Sequence, residues 1–160
     1  YDTHRAGVTE FEGTGELPNQ GLNDNLTRWD VGMQCANGVK MSLTTGTNTV
    51  KFVGSEGSVW VSDRGQGADP ESLWSAKIAA DEIHLKSGNL HTDFIECVKT
   101  RQPTISPIDD AVYSDNISHI ADIAIRLGRK VKWDPQTEQI IGDDEASRML
   151  DRPSRDPWSV

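Results

Sequence analysis

Two alternating runs on either side of Asn37-Gly38 constrain this chain more than any other feature. Trp29, Val31, Met33 and Cys35 fall on one face of an extended segment, with Arg28, Asp30 and Gln34 on the other. Val39, Met41 and Leu43 continue outward against Lys40, Ser42 and Thr44. Asn and Gly both tolerate positive φ, so Asn37-Gly38 reads as a hairpin turn between antiparallel neighbours. Other short runs extend the pattern. Val8-Thr9-Glu10-Phe11-Glu12 alternates, and Gly13, Gly15, Pro18 and Gly21 then mark an irregular connection. After a loop at 45–48 come a strand at 50–53, the turn Gly54-Ser55-Glu56-Gly57 and a last strand at 58–62. The expectation is an antiparallel meander.

The remainder changes period. Residues 63–69 form a Gly-rich polar loop, and Glu82-Ile83-His84-Leu85 is a candidate for one further short strand. Leu90, Phe94, Ile95 and Val98 then line one face at helical spacing until Arg101-Gln102-Pro103 stops the helix. A second helix starts with Ser106 as N-cap and Pro107 in the first turn, and Asp109 faces the positive dipole end. Its stripe runs Tyr113, Ile117, Ile120, Ala124, Leu127, and Gly128 caps it. A short extended piece at 131–133 and a small capped helix at 143–150 precede a tail with Pro153 and Pro157. Strands first and helices after define an α+β fold.

Composition narrows the function classes. With 25 acidic and 16 basic side chains, the net charge of −9 works against wrapping a phosphate backbone, so nucleic acid is not an expected partner. No apolar run approaches the ~20 residues that span a bilayer, so no membrane span is expected. The length of 160 residues suits one domain, or a piece of a larger one. Cys35 and Cys97 form no C-x-x-C pair and read as two separate thiols. The chain begins at Tyr1 rather than Met, so the natural start is expected to be missing along with any targeting signal.

The residues that could carry chemistry mostly fail on spacing. Gly13-Thr14-Gly15 is the nearest approach to a dinucleotide loop, but Pro18 occupies the third glycine position and no helix follows. His4, His84, His91 and His119 show neither H-x-x-x-H nor H-E-x-x-H spacing, so no metal site is expected. His119 reads as a flank of the helical core, while His91 opens a helix and could stand at a cleft edge. Asp109-Asp110 and Asp143-Asp144-Glu145 lie where helices begin, and dipole stabilisation accounts for both. No G-x-S-x-G elbow marks a nucleophile. Trp29 and Trp60 lie in strands as core or interface material, and the sequons at Asn25 and Asn116 carry little weight. These residues describe an α+β domain without a catalytic centre of its own.

The order of the motifs nevertheless resembles a known family. Phe11-Glu12-Gly13-Thr14-Gly15-Glu16-Leu17-Pro18, Trp29-Asp30-Val31, Ala36-Asn37-Gly38-Val39-Lys40-Met41 and the run from Lys51 to Val61 are similar to the C-terminal domain of the Gfo/Idh/MocA oxidoreductases. The family takes its name from glucose–fructose oxidoreductase and inositol dehydrogenase. His91-x-x-Asp93-Phe94-Ile95 with Cys97-Val98-Lys99, and Ile123-Ala124-x-Arg126-Leu127-Gly128-Arg129-Lys130 with Trp133-Asp134-Pro135, resemble its helical part. Arg152-Pro153-x-Arg155-x-Pro157-Trp158 resembles a branch common among carbohydrate-degrading bacteria. Relatives with this ending often carry export signals, so cytoplasm and periplasm both stay open.

The resemblance implies a single C-terminal domain over 1–160, with an open, mostly antiparallel sheet and helices on one face. It implies the substrate-binding and oligomerisation half of an NAD- or NADP-dependent oxidoreductase of sugars or polyols. In that family the cofactor loop and the catalytic lysine lie in a preceding Rossmann domain. The Asp/His acid–base pair lies on a helix before the first strand, and Asp2-Thr3-His4 lacks the helical spacing to replace it. Neither catalytic nor cofactor-binding residues are therefore expected here, and the chain alone should be inactive. Thr45 and Asn48, in the loop that aligns with a substrate-touching position, and His91 are the expected substrate-facing residues. Trp29, Val31, Met33, Val39, Met41 and Leu43 look too apolar for a free sheet surface, so the open face should pair between subunits. A free-standing carbohydrate-binding or dimerisation module without a Rossmann half is the alternative.

Overall fold

The computed structural model describes residues 7–18, 24–82, 88–151 and 156. The chain divides into two compact units, one of residues 1–45 with 88–160 and one of residues 46–87. Asp2-Thr3-His4, most of the candidate strand at 82–85 and most of the Pro-rich tail lie outside the described residues.

The first unit is built on a sheet in the order β3-β2-β1-β7-β8, with every pairing antiparallel. Its strands are β1 (Val8–Glu16), β2 (Arg28–Cys35), β3 (Lys40–Thr44), β7 (Val131–Asp134) and β8 (Gln139–Ile140). The hairpin at Asn37-Gly38 forms as expected, with Gly38 at φ 87° and the Asn37 side chain accepting from the Val39 amide at 3.1 Å. The strand before the irregular connection was expected to end at Glu12, but β1 continues through Gly13 and Gly15 to Glu16. Both glycines sit on the face covered by α2 (Ile108–Leu127). A Cβ on Gly13 would lie 2.7 Å from the Asp30 carbonyl oxygen, and one on Gly15 would lie 2.9 Å from Ile125 Cγ2. They are sites of close approach, not chain breaks.

A bulge sets the face. The register slips between Val8 and Glu10, so Val8 and Phe11 both reach the core although three residues apart. Phe11, Val31, Ile120 and Val131 are fully buried, and Met33, Cys35, Ile123, Ala124 and Trp133 are buried beside them. Each large apolar side chain buried here contributes about 1.5–3 kcal/mol against its exposed state. No polar or charged residue is buried among the described residues.

Burial of Trp133 and Val131 draws β7 into the sheet after α2, so strands also follow the helices. Ser106 is not the cap of α2. Pro107 occupies that position without a side-chain bond, and the Ser106 carbonyl accepts from Thr104 Oγ1 at 2.8 Å. Gly128 closes the helix at φ 62° as expected. α3 (Asp144–Arg148) is capped by Asp143, whose carboxylate accepts from the Ala146 amide at 3.0 Å. Arg129 holds the same carboxylate with two bonds of 2.9 and 3.0 Å, and Glu145 with one of 2.7 Å. The guanidinium is the larger cause that takes the Asp143 carboxyl down to about 2. α1 (Leu90–Thr100) ends at Arg101, in the left-handed region at φ 59°. Its apolar stripe of Leu90, Phe94, Ile95 and Val98 is not buried, each side chain being about half exposed or more.

The second unit is a separate three-stranded sheet in the order β4-β5-β6. Its strands are β4 (Thr49–Gly54), β5 (Gly57–Ser62) and β6 (Gly65–Asp69), followed by a 3-10 turn at Glu71–Ser75. The expected single meander is therefore two sheets, and the expected loop at 63–69 is a two-residue turn and a strand. Small residues hid that strand: Gly67 lies under Trp60, where a Cβ would come within 2.9 Å of the indole.

The open face of the first sheet corrects a second expectation. Trp29, Val31 and Met33 point toward α2, and Met41 and Leu43 pair with Met33 and Val31 on that same face. The other face carries Glu10, Glu12, Thr14, Asp30, Gln34 and Lys40. It is polar because the alternation turns Val31 and Met33 toward the helix, while Val39, Met41 and Leu43 at the edge of the sheet stay partly exposed.

Gly13→Ala should lower stability by about 1–3 kcal/mol, since backbone on the neighbouring strand must move. Gly32→Ala, whose Cβ would meet only the Glu12 carbonyl oxygen at 3.8 Å, should stay within about 0.5 kcal/mol. Urea midpoints of the two variants separate these outcomes, and equal losses would refute the close-approach account. The Asp143 carboxyl is depressed in the fold, so its contribution is complete above the ordinary carboxylate range near pH 4 and fades as pH falls toward about 2. Asp143→Asn should therefore flatten the loss of stability between pH 4 and 2, and an unchanged slope would count against the ion pair.

Candidate functional site

Polar side chains converge on two surfaces. In the second unit, the end of the sheet where β4 begins and β5 turns into β6 forms a cavity of about 470 Å³. Thr47, Asn48 and Thr49 line it from one side, and Ser62, Asp63 and Arg64 from the other. Strand pairing sets this meeting: Thr49 is opposite Ser62, so the residues just outside each strand face one another. Asn48 holds Asp63 twice, its carbonyl accepting the Asp63 amide at 3.3 Å and its Nδ2 donating to Asp63 Oδ2 at 2.7 Å. The Thr47 and Thr49 hydroxyls are 3.2 Å apart. Ser62 Oγ donates to the Gly65 carbonyl at 3.1 Å and accepts from the Arg64 amide at 3.2 Å, which fixes the turn. Among the described residues, Asp63 Oδ1 accepts no bond and the Arg64 guanidinium has no acidic partner.

The open face of the first unit is the second surface, with a shallow cavity of about 620 Å³. Lys130 Nζ bonds Glu10 Oε2 at 3.0 Å and lies 3.8 Å from Glu12 Oε2. The bond lowers the Glu10 carboxyl and raises the Lys130 ammonium relative to their ordinary values. Lys40 and Asp30, at opposite ends of the face, have no ion-pair partner among the described residues.

The expected substrate-facing residues are held by three different devices. Asn48 lines the cavity of the second unit. Thr45 closes the end of the β2–β3 pair in the first unit, its Oγ1 accepting from the Trp29 amide at 2.7 Å. His91 stands exposed in the first turn of α1, where its amide donates to Asn89 Oδ1 at 3.0 Å. Thr45 and His91 share no hydrogen bond. Sequence reasoning passed over Asp63 and Arg64, because Asp63 to Asp69 reads as one polar loop. The signal was there in Ser62-Asp63-Arg64-Gly65, two turn residues between a β-type run and a glycine. His119 is not a core flank: it is exposed, with Nε2 3.2 Å from Asp115 Oδ2.

These residues do not fit a nicotinamide dinucleotide. Gly13-Thr14-Gly15 lies within β1, and its glycines are filled from above by the neighbouring strand and α2 rather than left open for a pyrophosphate. Among the described residues, no group of three or more His, Cys, Asp and Glu is placed to hold a metal ion. Cys35 and Cys97 are not joined in a disulfide, and burial pushes the Cys35 thiol up. No described helix is long and apolar enough to cross a membrane.

The first unit is an α+β arrangement, an antiparallel sheet with one helix laid across it. A protein-family model described as "Oxidoreductase family, C-terminal alpha/beta domain" matches residues 18–160. The chain belongs to the Gfo/Idh/MocA oxidoreductase family and constitutes its C-terminal domain. No curated protein and no solved structure gives a significant match.

Proposed function

We propose that this chain is the substrate-binding and oligomerisation half of an NAD(P)-dependent oxidoreductase of sugars or polyols. The family match over 18–160 carries the reading. Hydride transfer requires a nicotinamide held against the substrate carbon and a base at its hydroxyl. In this reading a Rossmann domain of the same protein holds the cofactor, and the cofactor supplies the hydride acceptor. This chain's part is to bind hydroxyls, orient the substrate and exclude water. The cavity at Asn48 supports that role, since hydroxyl, amide, carboxylate and guanidinium groups together serve a ligand whose hydroxyls both donate and accept.

The partner in the assembly is a second copy of the chain, met through the open sheet face. Lys40, Gln34 and Glu10 form one row across three strands, Ser42, Gly32 and Glu12 the next, and Thr44, Asp30 and Thr14 the third. Gly32 leaves the middle of the face without a side chain. A twofold axis over Gly32 brings Lys40 of each copy toward the Asp30 end of the other, so two unpaired charges find partners twice. Such a contact is ionic rather than apolar and is screened by salt.

The full-length gene product should reduce NAD or NADP with at least one neutral sugar or polyol, read as nicotinamide absorbance over a substrate panel. A coding sequence without a Rossmann domain, or no turnover across the panel, would instead favour the binding-module reading. Sedimentation equilibrium at micromolar concentration should show a dimer at low salt that weakens in about 1 M salt, where charges are screened beyond ~3 Å. Lys40→Glu should weaken it further, and a monomer at low salt would refute the pairing.

A further inference from the structure

We propose that Asp63 and Arg64 of the β5–β6 turn determine specificity by grasping two neighbouring hydroxyls of a neutral polyol. The proposal rests on the reading above that the protein acts on sugars or polyols, and names the recognition chemistry of the cavity containing Asn48.

Three observations carry it. The first is size: the rim encloses about 470 Å³, within the range of small-molecule sites, although its lining side chains are largely exposed. The second is fixation. Asp63 is tied to Asn48 by a backbone and a side-chain bond, and the Arg64 backbone is tied to Ser62 Oγ. Both charged groups therefore project from a turn whose backbone is set before any ligand arrives, which reduces the ordering cost of binding.

The third observation is the pattern of unused capacity. Asn48 occupies Asp63 Oδ2 and leaves Oδ1 open, and the Arg64 fork is unclaimed among the described residues. A carboxylate oxygen can accept two O–H donors, and a guanidinium can give two parallel N–H bonds to two adjacent oxygens. A vicinal diol satisfies both: its protons go to Asp63 and its lone pairs receive Arg64. The Thr47 and Thr49 hydroxyls, 3.2 Å apart, line the same cavity. The same pair selects against anions. A phosphate or carboxylate would meet Arg64 favourably but would bring its charge against Asp63, which has no proton to offer it. The ligand class is therefore a neutral sugar or cyclitol rather than a sugar acid or sugar phosphate.

The test titrates the 160-residue chain with myo-inositol, glucose, glucuronate and glucose 6-phosphate while amide resonances are followed by NMR. The neutral compounds should give saturable shifts confined to 47–49 and 62–65, and the two anions should bind about tenfold more weakly or not at all. Asp63→Asn and Arg64→Met should each weaken the neutral ligands about tenfold or more, with unchanged circular dichroism. In the full-length enzyme the same variants should raise KM by a similar factor and leave kcat within about twofold, as expected for groups that bind ground and transition states alike. Equal or tighter binding of the anions, or variants that bind as the parent does, would overturn the assignment. Turnover of polyols with KM unchanged in both variants would overturn it while leaving the oxidoreductase reading intact. Polyols that neither bind nor turn over would remove both.

Discussion

The close approach of α2 to β1 is the contact on which the first unit depends. A helix can lie flush on a strand only where the strand offers no side chain, and Gly15 provides that, since a Cβ there would lie 2.9 Å from Ile125 of the helix. With the helix seated there, Ile120, Ala121, Ile123 and Ala124 fill the space above Phe11, Val31 and Val131. The bulge at the start of β1 serves the same contact by turning Val8 and Phe11 to one side. No charged group enters this core, so its stability comes from apolar burial and packing density rather than from buried ion pairs.

That division leaves the charged side chains of the described residues outside the core. Glu10, Glu12, Asp30 and Lys40 collect on the open face because alternation leaves them no other side. Arg129 and Asp143 close the junction between α2 and α3, where a cap and a bidentate ion pair act on one carboxylate. These charges hold the ends of elements in place.

The second unit follows different physics. Its three strands are short, its apolar side chains such as Val50 and Phe52 are more than half exposed, and its turns carry the polar residues. Tight pairing between Thr49 and Ser62 brings two separate stretches of sequence to one rim, and the Asn48–Asp63 bonds fix them there. A local device of this kind presents binding groups without a large core beneath it, as loops on a scaffold commonly do.

Much of the fold was legible in the sequence because it depends on local rules. Alternation marked β2 and β3, Asn37-Gly38 marked their turn, and the caps at Gly128 and Asp143 marked helix ends, each through chemistry within a few residues. Membership of the family was legible through motif order. Tertiary structure decided the rest. Gly13 and Gly15 read as breakers until the neighbouring strand at Asp30 and Val31, and for Gly15 a helix more than ninety residues later, explained why a strand should have no side chain there. Gly67 hid β6 for the same reason, its place being taken by Trp60. Ser106 lost its capping role to geometry that spacing could not foresee. The choice of which sheet face meets the helix also lay beyond the sequence. Alternation separates two faces, but only the packed helix says which is inside, and with that choice the open surface became polar instead of apolar.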